Sequence, residues 1–448
     1  MTHQLSPITI EKLVIGGHGL SRLADGKIVL VPFVLPGEEV VVRPVSRKKS
    51  FMQASVVDIL KPSPDRTKPP CTYYPRCGGC DFQHVRADRQ ADLKNRILLE
   101  QLERSTLQAD CGKLLSPPLS SPQPFHYRQR IRLHVGKNGE LGFHRGQSHE
   151  VEPITSCLLA RPPLNEILAY LAGHPSFYKI APLTTSVELL LSPVDEAVVV
   201  LLNLTRKLRP AERGVVEELA SGDSRIKSVV VLATGSGVPE LFSRGEPKGE
   251  QPLLHFSHLL PDGDRLGMTI EPGGFCQVNS AQNENLTSLL LDWARVDGGS
   301  RVLDLFCGMG NFSLPLARGV KSVTGMDLQR SAIRSAIRNA KLNDIVNCAF
   351  AQNASLNGAK QLAANGEKFD LVLLDPPRQG CAEVIPVLPG LEAAQVIYIS
   401  CDPATLCRDL LLLEGAGYEV ERMKMVDMFP QTHHLETIVS LIRLADPS

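Results

Sequence analysis

From residue 273 onward, strand-like apolar runs alternate with helical stretches, and this rhythm limits the possible fold more than any other feature of the chain. RVLDLF, SVTGMD, FDLVLLD, QVIYIS and TIVSLIRL are separated by segments such as 331–341 and 404–414 that carry helical spacing. Alternation of this kind predicts a parallel, doubly wound sheet with helices on both faces. Ligands of such sheets sit outside the carboxyl ends of the strands, so residues just beyond each run are the first candidates for chemistry.

Val302 to Phe312 runs a strand into a turn bearing Gly308 and Gly310 and then into a helix. Glycines at such a turn let backbone N–H groups approach a ligand closely. Asp327 ends the following strand, where a carboxylate can bind ribose hydroxyls. No third glycine stands at the dinucleotide spacing, which favours a single nucleoside over NAD. FDLVLL ends in Asp375-Pro376-Pro377-Arg378, a rigid rim, because proline fixes φ and donates no backbone hydrogen bond. The run Val396 to Ser400 delivers Cys401 to the same rim, either as an inert small hydrophobe or as a nucleophile. Glu436, ahead of IVSLIRL, is either a strand-edge charge or a partly desolvated proton acceptor. His433 and His434 are adjacent and lack a third partner, so they do not read as a metal site.

The first sixty residues hold short strand-like runs separated by glycine turns, which predict a small β-barrel over 1–61. Arg43, Arg47, Lys48 and Lys49 gather at one of its turns, as a solvated loop or a phosphate-contacting face. Four prolines between Lys61 and Pro70 stiffen a linker. A central β-rich domain is expected over 71–272, with few helices beyond the one at 88–105, which is expected to pack on the third, C-terminal domain. Asn138-Gly139 marks a hairpin. Alternate residues on a strand share a face, so Arg128, Arg130 and Arg132 point together, as a solvated face or a cationic binding surface. The third domain spans 273–448.

Eleven cysteines in a chain without a recognisable export signal are not expected to form a disulfide framework. Cys71, Cys77 and Cys80, with two glycines permitting a tight wrap, instead suggest a metal site. Its fourth ligand would be Cys157, with Cys111 as runner-up, and four thiolates suit zinc or an iron–sulfur cluster. The balance of 48 Lys+Arg against 48 Asp+Glu excludes a uniformly cationic nucleic-acid coat but not local patches. No apolar run approaches the ~18 residues of a membrane span, so a cytoplasmic protein with no membrane partner is expected.

Five segments, FCQVN (275–279), DLFCGMGNFSLPLA (304–317), DPPRQG (375–380), ISCDPATLCRDL (399–410) and HHLETIVSL (433–441), occur in an order that resembles the RNA uracil-C5 methyltransferase family, specifically its 23S ribosomal RNA type, over nearly the whole chain. The resemblance implies a multidomain α/β protein: an N-terminal TRAM (OB-like) β-barrel, a central domain with a four-cysteine cluster, and a C-terminal Rossmann-like methyltransferase domain. It implies that Gln277, Phe306, Gly308, Gly310, Asn311, Asp327, Asn353 and Asp375 hold S-adenosylmethionine, although family members often carry Glu where this chain has Asp327. Cys71, Cys77, Cys80 and Cys157 would hold a [4Fe-4S] cluster rather than zinc. Cys401 would add to C6 of a flipped-out uracil and Glu436 would remove the C5 proton. The implied partner is RNA, 23S ribosomal RNA above all, and not DNA; the protein is expected to be a monomer. Transfer RNA is the alternative substrate, and a non-catalytic RNA-binding assembly protein is the reading from another class.

Overall fold

The computed structural model describes residues 7–235, 238–243 and 252–444. The first six residues and the last four of the expected domain limits therefore lie outside the described residues.

The N-terminal strands form one six-stranded sheet in the order Ile8–Thr9, Glu39–Arg47, Phe51–Lys61, Ile28–Val31, Gly19–Arg22, Lys12–Leu13. Its two edge strands are almost contiguous in the chain: Ile10 N–H bonds Glu38 O on one side and Glu11 N–H bonds Leu20 O on the other, so the sheet curls round on itself. Alternating apolar residues, including Val29, Val31, Val40, Val42 and Met52, fill the interior. A loop at Gly17, in the left-handed region at φ 74°, leaves this barrel toward the rest of the molecule. A Cβ there would lie 2.7 Å from Phe82 and 2.9 Å from His433, so only glycine fits so close an approach.

The central sheet has seven strands, ordered Val151–Pro153, Leu141–His144, Arg130–Val135, Thr184–Ser192, Ala197–Leu204, Ile226–Ala233, Glu240–Ser243. Its pairings are antiparallel except that of Ala197–Leu204 with Ile226–Ala233, which is parallel. Helices Pro162–Gly173, Pro175–Ile180 and Pro210–Ser221 cover one face and close its core. They are more numerous than the sequence reading allows; each opens with proline in its first turn, where the missing N–H costs nothing. A separate hairpin, Leu254–Leu259 and Arg265–Ile270, packs its apolar residues between this sheet and the C-terminal domain.

The C-terminal sheet runs Cys348–Gln352, Ser322–Asp327, Arg301–Asp304, Leu371–Leu374, Gln395–Ser400, Glu436–Arg443, Tyr418–Val426, Leu115–Leu119. The first five strands are parallel. Here the expectation of an all-parallel sheet is corrected: Glu436–Arg443 runs antiparallel to both its neighbours. The preceding strand Tyr418–Val426 returns directly through a short loop, without a helical crossover to reverse it. The eighth strand, Leu115–Leu119, comes from far upstream and pairs parallel with Tyr418–Val426. Helix Ala87–Glu103 lies against this end, placing Ala91, Leu98 and Leu102 in the same core as Leu410, Leu413 and Met423. Leu371 to Leu374 are all fully buried, as a strand covered on both faces requires. Among the described residues no helix is long and apolar enough to cross a membrane.

Candidate active site

The strand Arg301–Asp304 ends in the glycine turn, with Gly308 at φ 55° and Gly310 at φ 88°. A Cβ on Gly308 would meet nothing within 4 Å, so this backbone faces open space. Gly308 N–H donates to Asp327 Oδ2 at 3.1 Å, and Gln329 N–H to Asp327 Oδ1 at 2.7 Å, which ties the carboxylate to the turn. Asn353 N–H donates to Asp327 O at 3.1 Å and so stands beside it. Asn311 exchanges two amide hydrogen bonds with Asn283, at 2.8 and 3.0 Å, and shares a crevice with Gln277. Phe306 is half-buried at the rim, and Asp375 follows the strand Leu371–Leu374. The eight residues expected to hold the methyl donor thus line the carboxyl edge of the sheet and the turns beside it.

Cys401 follows the strand Gln395–Ser400 and precedes a helix whose start is built for it. Asp402 caps Pro403–Gly415 by accepting from Thr405 N–H at 2.8 Å, and Pro403 takes the first helical position. The half-buried thiol therefore sits just ahead of a helix N-terminus, where partial positive charge favours a thiolate. Register decides its partner. Ser400 is opposite Thr437 in the antiparallel pair, so the next positions outward, Cys401 and Glu436, face each other. Had the last strand been parallel, its first residue would lie at the other edge of the sheet.

The electrostatics are those of a crowded, dry pocket. Glu436 is only 5% exposed, and burial first, then Asp375, push its carboxyl well above the usual range, while Arg378 opposes the shift. Burial raises the Cys401 thiol to about 11, with Glu436 adding to the rise and Arg378 pulling it down. Asp375 is pushed up to about 7 by burial and by Asp304. Asp304, 1% exposed, is also raised to about 7, chiefly by burial, although Ser313 donates to its Oδ2 at 2.6 Å. Its Oδ1 has no partner. The sequence reading gave no role to Arg378 or Asp304. Both flank motifs already singled out, and a basic residue after a rigid Pro-Pro was the available signal for Arg378.

The loop ahead of Glu436 is held from outside its own domain. Lys94, wholly buried on helix Ala87–Glu103, donates to Asp427 Oδ1 at 2.7 Å and Phe429 O at 3.0 Å. Gln90 and Gln431 exchange hydrogen bonds at 2.9 and 2.8 Å. Tyr127 O–H donates to Pro430 O at 3.0 Å, and His433 pairs with Asp81.

Asp81 follows Cys80. Among the described residues no group of three or more His, Cys, Asp or Glu side chains is arranged to hold a metal ion. The four candidate cysteines nevertheless share one neighbourhood: burial raises the thiols of Cys77, Cys80 and Cys157, and each also feels the charge of Cys71. All four are free. The donor chemistry fits a soft-metal cluster, while the sulfurs stand apart from ligating positions. Cys111 is elsewhere, buried in the C-terminal core, which removes it as a fourth ligand. Of the three arginines, Arg130 is committed to Glu188 and to Gly274 O, Arg128 lies over the Phe429 ring at 5.8 Å, and Arg132 is more than half exposed.

A glycine turn opening onto an acidic rim, on a mostly parallel sheet with one antiparallel strand, is the arrangement of a Rossmann-like domain. Residues 262–444 match the family model described as tRNA (uracil-5-)-methyltransferase. The chain is 35% identical over 437 residues to the 23S rRNA (uracil(1939)-C(5))-methyltransferase RlmD of Vibrio campbellii, covering 96% of this chain and 94% of that protein. It is 35% identical over 440 residues to the RlmD of Pseudomonas putida, covering 96% and 92%. The crystal structure of the Pyrococcus abyssi tRNA (uracil-54, C5)-methyltransferase with S-adenosyl-L-homocysteine superposes with a TM-score of 0.72 at 25% identity, over 97% of this chain and 99% of that one. The chain belongs to the S-adenosylmethionine-dependent RNA uracil-C5 methyltransferase family.

Proposed function

We propose that this protein transfers the methyl group of S-adenosylmethionine to carbon 5 of a uridine in 23S ribosomal RNA, with Cys401 as nucleophile and Glu436 as base. The observation that carries the reading is the register that sets these two side chains across from each other, beside Asp375 and Arg378.

In the free protein burial shifts both groups above their ordinary ranges, toward their protonated forms. Positive charge draws the thiol toward thiolate, and Arg378 supplies it. The methyl donor brings a second cation, its sulfonium, together with an electrophilic methyl. With its thiol proton released to solvent, Cys401 Sγ bonds to C6 of the uracil, and the C5–C6 π electrons move to C5 and O4 as an enolate. C5 takes the methyl, and the sulfonium C–S bond breaks to leave a neutral thioether. Glu436, ionised beside Arg378 with its proton released to solvent, removes the C5 hydrogen; the C5–H electron pair restores the double bond and expels the Cys401 thiolate. A stacked base cannot present C6 to a thiol, so the target nucleotide is flipped into the pocket.

Gln277, Phe306, Gly308, Gly310, Asn311, Asp327, Asn353 and Asp375 are the proposed donor contacts. Cys71, Cys77, Cys80 and Cys157 would hold a [4Fe-4S] cluster, which would crosslink the loop bearing Asp81 to the central sheet. The barrel at 1–61 is read as a TRAM module and, with Arg132, as part of the RNA surface. Ribosomal RNA is favoured by the full-length relatives named for it. Transfer RNA is the second reading, favoured by the printed substrate of the structural relative. Incubating the protein with each purified RNA and mapping 5-methyluridine decides between them; methylation of neither would end the proposal.

A further inference from the structure

A crevice between the domains, lined in part by Gln129, His258, Gln277, Asn283, Met309 and Asn311, contains two buried polar atoms with no partner. One is His258 Nε2, on the hairpin strand Leu254–Leu259; the residue is 7% exposed. The other is Gln129 Oε1, just before the central strand Arg130–Val135; that residue is 2% exposed. Their chemistry is opposite. Asn283, whose amide also pairs with Asn311, directs its NH2 at His258 Nδ1 at 3.4 Å, so Nδ1 accepts and the ring hydrogen is on Nε2. Burial lowers the imidazole to about 4, so the ring is neutral and Nε2–H is a plain donor. Gln129 Oε1 can only accept. Leaving such an atom unpaired is costly, and folded proteins keep few of them without a use.

One orphan donor and one orphan acceptor in a single crevice complement a carboxylate beside an ammonium, the polar pair of an α-amino acid. Gln277 and Asn311, two proposed donor contacts, line the same crevice. We propose that the crevice seats the amino-acid end of the methyl donor, its carboxylate accepting from His258 Nε2–H and its ammonium donating to Gln129 Oε1. This rests on the donor-binding reading above and adds two positioning residues that none of the five sequence motifs contains. Gln129 belongs to the central sheet, its N–H bonded to Val278 O at 3.0 Å, so the donor site is completed across a domain boundary.

The test compares two ligands by calorimetric titration of the full chain: S-adenosylhomocysteine, which carries the amino-acid end, and 5′-methylthioadenosine, which lacks it. His258→Phe and, independently, Gln129→Met should weaken S-adenosylhomocysteine about tenfold or more. Their affinity for 5′-methylthioadenosine should stay within about twofold of the unsubstituted protein's. Equal weakening of both ligands would make these residues merely structural and overturn the proposal. Unchanged S-adenosylhomocysteine binding would overturn it too. If the unsubstituted protein bound neither ligand, the donor-binding reading itself would fall.

Discussion

Two regions of this molecule present cysteine at a turn, and they differ in what surrounds the sulfur. Cys401 stands alone on a rigid edge, between a capped helix start and a buried strand, with carboxyls at Glu436 and Asp375 and one guanidinium at Arg378 as its charged company. Cys71, Cys77 and Cys80 lie on a loop containing two glycines, in one neighbourhood with Cys157. A single thiol with a cation and a proton acceptor at hand can form and break one covalent bond. Three thiols stand on one loop with a fourth, Cys157, nearby: burial first, then neighbouring thiols, raises Cys77, Cys80 and Cys157. The atom is the same; the neighbours assign its chemistry.

Breaking the first region should have the largest effect. Cys401→Ala should cut methyl transfer by at least about a thousandfold while leaving S-adenosylhomocysteine binding intact, as radiolabel transfer and titration would measure. Wild-type turnover in that variant would remove the nucleophile from the scheme. Next in size, Glu436→Gln should slow turnover by about 10²–10⁴ and accumulate a covalent protein–RNA adduct visible on a denaturing gel. Normal product release without adduct would refute the base.

The second region should respond differently. Cys157→Ser should lower the iron and sulfide content of anaerobically purified protein and bleach its visible absorption, with donor binding changed by less than about twofold. Protein isolated with zinc instead would sharpen the contrast by replacing a cluster with a simple structural ion.

A smaller effect separates the acidic floor of the first region from the second. Asp304 is held at about 7 against an ordinary 3.8, so the folded chain keeps a proton that the unfolded chain has already lost between those values. Its contribution to stability is complete below the lower value and lost as pH rises through the higher one. Asp304→Asn should therefore flatten the fall in Tm over that window, measured by calorimetry in a pH series; an unchanged slope would place the titration elsewhere. Smallest of all, Arg132→Ala should weaken RNA binding and reduce the salt slope by about one.

Much of the site was legible in the chain because its residues sit in local patterns. Ser400-Cys401-Asp402-Pro403 joins a buried strand to its own helix cap, and Gly308 with Gly310 marks a turn open to a ligand. The helices over the central sheet were less legible: few helices were expected there, and Pro162 and Pro210 stand in the first turns of two of them. His258, Gln129 and Lys94 gave no local signal: each acts through partners distant in sequence.

The sequence by itself determined which groups could do chemistry: a thiol behind an apolar run, a carboxyl ahead of another, a glycine turn and a cysteine-rich loop. It did not determine that the thiol and the carboxyl would meet. That followed from the direction of the last strand, because an antiparallel neighbour brings its first residue to the edge where a parallel one would bring its last. Strand direction depends on how Tyr418–Val426 turns back and on Lys94, Gln90 and Asp81 gripping the loop between, contacts that exist only once distant parts of the chain have packed.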